Sequence, residues 1–403
     1  MKSKNEQKPI SKNKLLGIAG LAWMFDAMDV GILSFVIAAL AVEWNLTPGE
    51  MGWIGSINSI GMAVGALVFG VFADKVGRKK IFMLTLLLFS IASGLSALAT
   101  GLTIFLILRF FVGMGLGGEL PVASTLVSES VEAKERGRVV VLLESFWAAG
   151  WIVSALIAYF IIPDYGWRIA LLITALPAFY AIYLRLKLPD SPQYKGNKAE
   201  SRTIMQNMQE VWSKKYAKRT LMLWIVWFMV VFSYYGMFLW LPSVMVMKGF
   251  TLIKSFEYVL IMTLAQLPGY FSAAWLIEKA GRKFVLVTYL LGTAASALVF
   301  GSAESTTLLM VSGMLLSFFN LGAWGALYAY SPEQYPAVIR GTGSGMAASA
   351  GRIGGILGPL LVGSLVAAGY EIGYIFDIFC VAIVIGVLSV VFLGTETKQT
   401  ELE

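Results

Sequence analysis

The sequence predicts an all-α integral membrane protein, with twelve transmembrane helices in two six-helix bundles related by pseudo-two-fold symmetry. Three observations carry that prediction. Apolar residues make up 58% of the 403-residue chain and charged residues 14%, which is more apolar surface than a soluble globule of this length can bury, so a bilayer has to surround it. Twelve apolar runs of spanning length follow one another; at about 20 residues each they use about 240 positions and leave short loops. Two loop motifs recur at one fixed offset, which divides the chain into related halves.

In order, the runs cover residues 15–42, 51–73, 79–100, 102–127, 138–162, 167–188, 218–247, 254–277, 284–303, 306–330, 342–368 and 371–394. The first is longer than a signal-peptide core and lacks a small-residue cleavage site, so it reads as a span, with the mature chain expected to begin at Met1. Charged loops separate the second run from the third (Asp74 to Lys80), the fourth from the fifth (Glu129 to Arg136), the eighth from the ninth (Glu278 to Lys283) and the tenth from the eleventh (Glu333 to Arg340). The polar stretch at 189–217 divides an N-terminal bundle, 1–188, from a C-terminal bundle, 218–403. Within it, Arg202 to Lys218 is expected either to form amphipathic turns on an anionic membrane surface or to serve as a plain linker.

Basic residues are retained on the cytoplasmic side of a bilayer. Of the 31 Lys and Arg, only Arg168, Lys248 and Lys254 fall in loops on one side, and Arg109 and Arg352 fall within spans; all others lie on the side of the two termini. A multi-pass cell-membrane protein with both termini cytoplasmic follows. The net charge of +7 is then a topology signal, not a nucleic-acid footprint.

At an offset of 204 residues, Asp74, Lys75, Gly77, Arg78 and Lys79 align with Glu278, Lys279, Gly281, Arg282 and Lys283, and Glu129, Arg136 and Gly137 align with Glu333, Arg340 and Gly341. Six helices per half place both copies on the same side, as parallel repeats require.

The segment GVFADKVGRKK at 70–80 resembles the signature loop of the major facilitator superfamily, and LRFFVGMGLGGELP at 108–121 resembles its Arg- and Gly-rich fourth helix. LPDSPQY at 188–194, SPEQYPAVIRGTGSG at 331–345 and GTETK at 394–398 are similar to marks of its sugar-porter branch. The resemblance covers the whole chain and implies the major facilitator fold and alternating access. The paired glutamines of a sugar-binding seventh helix are replaced here by WIVWFMVVFSYYGMFLWLP, which favours a flatter, less hydroxylated solute. FDAMD in the first helix resembles the spacing in aromatic-acid:proton symporters and in niacin transporters related to synaptic-vesicle proteins. That resemblance implies a proton-coupled importer of a small aromatic carboxylate, nicotinate above all; a sugar, a polyol or another aromatic acid is the alternative.

Asp26 and Asp29 sit three apart, on one helix face near mid-membrane. A carboxylate there costs roughly 2.5 to 3.5 kcal/mol on insertion scales, so it is retained for pairing or function. Arg109 in the fourth span is the expected partner. By resemblance the pair couples proton uptake to conformation; the competing reading is a permanent ion pair that fixes packing. Glu119 is a lesser proton-site candidate.

For substrate, Arg352 is the candidate carboxylate ligand, or else the ion-pair partner of Asp377 or Asp29, or a packing residue. Glu144, Trp147 and Trp151 fall on one face, either lining a cavity or packing between helices. Tyr234, Tyr235, Phe238 and Trp324 are candidate aromatic walls, with Gln266 and Asn320 as polar contacts; for each the alternative is plain packing. The resemblance assigns Asp74, Gly77, Arg78, Glu129, Arg136, Glu278, Arg282, Glu333 and Arg340 to a cytoplasmic gate.

The chain has no His and one Cys, so a proton carrier has to be a carboxylate, and neither an intramolecular disulfide nor a Cys/His metal site is expected. No cofactor, no metal and no enzymatic reaction are expected. The expected partners are a small-molecule substrate, a proton and the bilayer, with a monomer as the functional unit. A receptor of the same fold that binds without transporting is a further alternative.

Overall fold

The computed structural model of the protein describes residues 12–76, 78–117, 136–186 and 204–398, which form helices and short connections with no strand among them. The helices are α1 (Lys12–Glu43), α2 (Pro48–Val76), α3 (Arg78–Ser96), α4 (Leu102–Gly117), α5 (Arg136–Leu186), α6 (Ile204–Val211), α7 (Ala217–Phe238), α8 (Leu241–Met247), α9 (Leu252–Leu264), α10 (Gln266–Ala280), α11 (Arg282–Ser302), α12 (Thr306–Glu333), α13 (Ala337–Ala367) and α14 (Ile372–Leu393). Nine runs among the described residues are long and apolar enough to cross a membrane. One of them, within α5, holds Gly166 at φ 79° and ψ 166°. Straight, the 51 residues of α5 would reach about 77 Å, more than twice the hydrocarbon core. The bend makes it two spans, as the sequence predicts. Leu84–Ser96 and Leu102–Gly117 are shorter apolar helices that complete the twelve.

Two expected spans are broken. The seventh, 218–247, divides into α7 and α8, and the eighth, 254–277, into α9 and α10. A proline lacks the N–H and its ring clashes with the carbonyl four residues back. Pro242 disfavours continuation past Phe238, and Pro268 past Leu264, the last residues of α7 and α9.

The first half of α5 runs parallel to α1. Gly20 faces Phe146, Gly150 faces Met24 and Ala27, and Ser154 Oγ donates to Met28 O at 2.6 Å. Lys12 therefore shares a face with the α5 N-terminus, which touches the end of α10 through Arg138 N–H donating to Glu278 Oε1 at 3.1 Å. This is the terminal face; the other is the far face. The halves meet along α2 with α13, and along α5 with α9, α10 and α12. Toward the far face, glycines let α2 and α13 touch: Gly52 and Gly55 lie against Pro359, Gly363 against Pro48, and Ser56 Oγ donates to Ile356 O at 2.6 Å.

The 204-residue offset has a structural counterpart at the far face. Arg168 Nη1 donates to Ala97 O and Ala99 O at 2.9 and 2.7 Å. Lys248 Nζ donates to Gly301 O and Ala303 O, both at 3.2 Å. Equivalent orphan carbonyls, following α3 and closing α11, each receive a cation, as the negative end of a helix favours. Arg168 and Lys248 thus lie on the sparsely basic side for a structural reason; burial draws Lys248 below the usual lysine range. In the expected linker, α6 forms and buries Val211, whose carbonyl accepts from Thr220 Oγ1 at 2.7 Å, while Met205 and Met208 stay exposed.

A candidate substrate cavity and its buried charges

Between the halves lies a narrow cleft, partly open to solvent, half of whose lining residues are aromatic. Trp23 comes from α1, Ser59 and Met62 from α2, Trp147 from α5, Trp227, Val231 and Tyr235 from α7, Trp324 and Tyr328 from α12, and Ala348, Arg352 and Gly355 from α13. Helical periodicity delivers them: 227, 231 and 235, then 324 and 328, then 348, 352 and 355 are spaced three or four apart and share a face. The indoles hold one another. Trp23 and Trp147 lie 5.2 Å apart, Trp147 stacks on Trp324 at 6.4 Å and 20°, and Trp227 meets Tyr328 edge-on at 4.9 Å. Trp147 Nε1–H donates to Tyr234 OH at 2.8 Å, a hydrogen bond that joins the halves at mid-depth.

Arg352 is the cation of this cavity. It makes no ion pair or hydrogen bond with any described residue; its electrostatic neighbours are Tyr328 and Tyr235. Of the alternatives left open by the sequence, Asp29 is paired elsewhere and Asp377 is exposed. Glu144 is buried just behind the lining, accepting from Trp23 Nε1–H at 3.2 Å. The Trp324 indole lies near the same carboxylate, but its N–H makes no hydrogen bond.

The second charged centre lies inside the N-terminal half. Asp29 Oδ2 takes a hydrogen bond from Arg109 Nη1 at 2.9 Å, and Oδ1 takes one from Ser93 Oγ at 2.8 Å. Both charged side chains are fully buried. The guanidinium lies 5.6 Å from the centre of the Phe105 ring, and its Nε and Nη2 have no hydrogen-bond partner. The pair is therefore a one-point contact, with fewer bonds to break than a bidentate one. Asp26, one turn away on α1, is buried.

At the terminal face Arg282 gathers the charges of the C-terminal half. It meets Glu278 at 2.8 Å and Glu333 at 3.0 Å. Glu396 accepts from the backbone N–H of Arg282 and of Lys283, at 2.8 and 3.1 Å, and Thr397 Oγ1 donates to Glu333 at 2.7 Å. Arg282 neutralises Glu333, because α10 and α11 turn sharply at Gly281 and bring the guanidinium under α12. Arg340 Nε donates to Tyr335 O. Gly281 has φ +101°, and an added Cβ would sit 2.6 Å from the Glu396 carboxylate. Gly281→Ala is expected to cost about 1–3 kcal/mol, read as a lower melting temperature of the purified protein.

Of the ten substrate-site candidates, Arg352, Trp147, Tyr235 and Trp324 line the cavity. Glu144 and Tyr234 stand directly behind it, each bonded to a lining indole. Trp151 and Phe238 pack 6.2 Å apart and are not part of the lining. Gln266 and Asn320 are fully enclosed and away from the lining, because they sit toward the far face from Tyr270 and Trp324 on their helices. Sequence reasoning missed Trp23, Ser59, Met62, Trp227 and Tyr328. The stripes 227/231/235 and 324/328 were the available signal, concealed by an apolar composition on every face of these helices. Glu119, Glu129 and Gly77 lie outside the described residues, and for Asp74, Arg78 and Arg136 the helical backbone alone is described.

The sequence profile of the Major Facilitator Superfamily matches residues 19–270 and 258–403. The chain belongs to this superfamily. It is a multi-pass membrane transporter and not an enzyme. A Bacillus subtilis protein named for niacin/nicotinamide transport, NiaP, is 68% identical over 398 residues, covering 99% of this chain and 100% of that protein. The niacin transporter NiaP of Acinetobacter baylyi is 48% identical over 431 residues, covering 100% of this chain and 98% of its own. Among solved structures, the xylose transporter XylE from E. coli superposes with a TM-score of 0.77 at 18% identity, covering 96% of this chain and 99% of the other. That likeness is one of superfamily fold.

Proposed function

We propose that this superfamily member is a proton-coupled secondary transporter that imports a small aromatic carboxylate, nicotinate above all, by alternating access. The observation that carries the reading is Arg352, a cation without an acidic partner among the described residues, set in an aromatic cavity between the halves. A planar ring stacks on indoles, and its carboxylate supplies the missing counter-charge. The names of the 68% and 48% identical relatives, both mentioning niacin, support the same substrate. A sugar fits less well, since among the lining residues only Ser59, Tyr235 and Tyr328 carry hydroxyls and none carries an amide.

Asp29 is the proposed proton site, with Arg109 as the cation it exchanges for a proton and Asp26 and Glu119 as secondary acids. The Arg282 network, with Asp74, Gly77, Arg78, Glu129, Arg136 and Arg340, is the proposed gate on a cytoplasmic terminal face. The halves 1–188 and 218–403 are proposed to rock about the cavity, joined by 189–217, in a monomer. A ligand that binds the folded state raises its apparent stability. Melting of the purified protein with nicotinate, benzoate and xylose is expected to show the largest upward shift with nicotinate. A shift with xylose and none with nicotinate would overturn the reading.

A further inference from the structure

Buried polar groups nearly always have a hydrogen-bond partner, so an exception raises the question of which arrangement would supply one. Beside the Asp29–Arg109 pair the exceptions are complementary. Two are donors, Arg109 Nε and Nη2, on a side chain that is fully buried. The third is an acceptor, Oδ1 of Asn58 on α2, a residue that is 2% exposed.

The backbone brings these groups to one place. Gly61 lies against the Phe110 carbonyl, Gly65 against that of Met114 and Gly117 against that of Met62, so α2 and α4 run parallel in direct contact. At Gly113 an added Cβ would lie 3.0 Å from Asn58 Oδ1. Arg109 is one turn before Gly113 on α4, and Cβ positions four apart on a helix are about 5–6 Å from each other. Asn58 Oδ1 is therefore within reach of an arginine side chain extended along that face. In the structure the guanidinium is drawn instead to Asp29, through Nη1 alone. The other ionisable groups packed nearby are both acids: Asp26 on α1, and Glu144 on α5, which accepts from Trp23. Residues 54–69 of α2 and 84–96 of α3 hold no charged side chain, and Arg109 is the one charge of α4.

Protonation of Asp29 would leave Arg109 buried without a counter-charge, and a buried cation is costly unless its N–H groups find acceptors. We propose that Asn58 receives Arg109 when Asp29 takes up a proton: the guanidinium turns from Asp29 Oδ2 to Asn58 Oδ1, which makes Asn58 a positioning residue of proton coupling. An amide oxygen accepts a charge-assisted hydrogen bond from a guanidinium and stays neutral itself. It therefore competes for Arg109 only after the carboxylate has lost its charge. The same helix carries Ser59 and Met62 into the cavity lining, so the switch ends on a wall of the substrate cavity. The proposal rests on Asp29 as the proton site and adds the partner that Arg109 takes in the protonated state.

The test is uptake of labelled nicotinate by the full-length protein in liposomes, followed against external pH at zero membrane potential, for the wild type, Asn58→Leu and Asn58→Asp. Leucine keeps the bulk and removes the acceptor. The protonated state then loses the partner of Arg109, Asp29 takes its proton less readily, and half-maximal uptake is expected at lower pH. Aspartate keeps the shape and adds a counter-charge for Arg109, which frees Asp29 to be protonated, so half-maximal uptake is expected at higher pH. Each shift is expected to be about one pH unit, the scale of one charge-assisted hydrogen bond. A side chain that only fills space would lower the rate at an unchanged half-maximal pH. Asn58→Asp decides the matter alone if the leucine variant does not fold. An unchanged profile in folded variants, or shifts in one direction for both, would overturn the proposal and leave the unpaired atoms to resident water. If Asp29→Asn keeps gradient-driven uptake, the proton-site reading fails as well; if Asp29→Asn abolishes it while the Asn58 variants keep the wild-type profile, this proposal fails alone.

Discussion

Asp29→Asn is expected to abolish uptake driven by a pH gradient, by at least tenfold, while counterflow of labelled substrate persists. The asparagine keeps the shape and can still accept from Ser93, but it neither carries a proton nor balances Arg109. Removing one member of a buried pair leaves an uncompensated charge and typically costs 3–5 kcal/mol, so this variant is also expected to melt lower. Replacing both charges is often close to neutral. Asp29→Asn with Arg109→Gln therefore separates the two effects: stability recovers and gradient-driven uptake does not. Full accumulation by the single variant would remove Asp29 from the coupling mechanism.

Arg352→Met is expected to have the next largest effect, on binding. A hydrogen bond to a charged group contributes about 1.5–3 kcal/mol, so nicotinate affinity should fall between tenfold and about 150-fold. Arg352→Lys keeps the charge and loses the planar fork, and should lie between the two. The aromatic walls are untouched, so an uncharged ring compound should be held as before. Because Arg352 balances no carboxylate among the described residues, removing it leaves no described acid unpaired, and the melting temperature of the empty protein should not fall. Equal loss of charged and uncharged ligands would show instead that Arg352 supports the cavity wall.

The architecture was legible because the bilayer imposes it: spans have a minimum length, loops carry the charge, and the duplication kept one register. The Asp29 pairing was legible for a related reason, since a mid-membrane carboxylate needs a partner and Arg109 was the cation at matching depth. The breaks after Phe238 and Leu264 were readable from Pro242 and Pro268 but are overridden by hydropathy, which sees one apolar run. A third of the cavity lining was legible: Trp147, Tyr235, Trp324 and Arg352. Sequence period says which residues share a face, but when every face is apolar it does not say which face meets the other half. Gln266 and Asn320 show this: their polarity marked them as unusual, yet they are fully enclosed where glycines bring α10 and α12 together, away from the cavity lining.

On the function proposed here, the transporter couples a small aromatic carboxylate to the proton gradient. Purified wild-type protein in sealed liposomes, given labelled nicotinate and an inward proton gradient, tests it most directly. Accumulation above the external concentration, abolished by a protonophore, is the expected result. Binding without accumulation, or accumulation that persists when the proton gradient is collapsed, would contradict it.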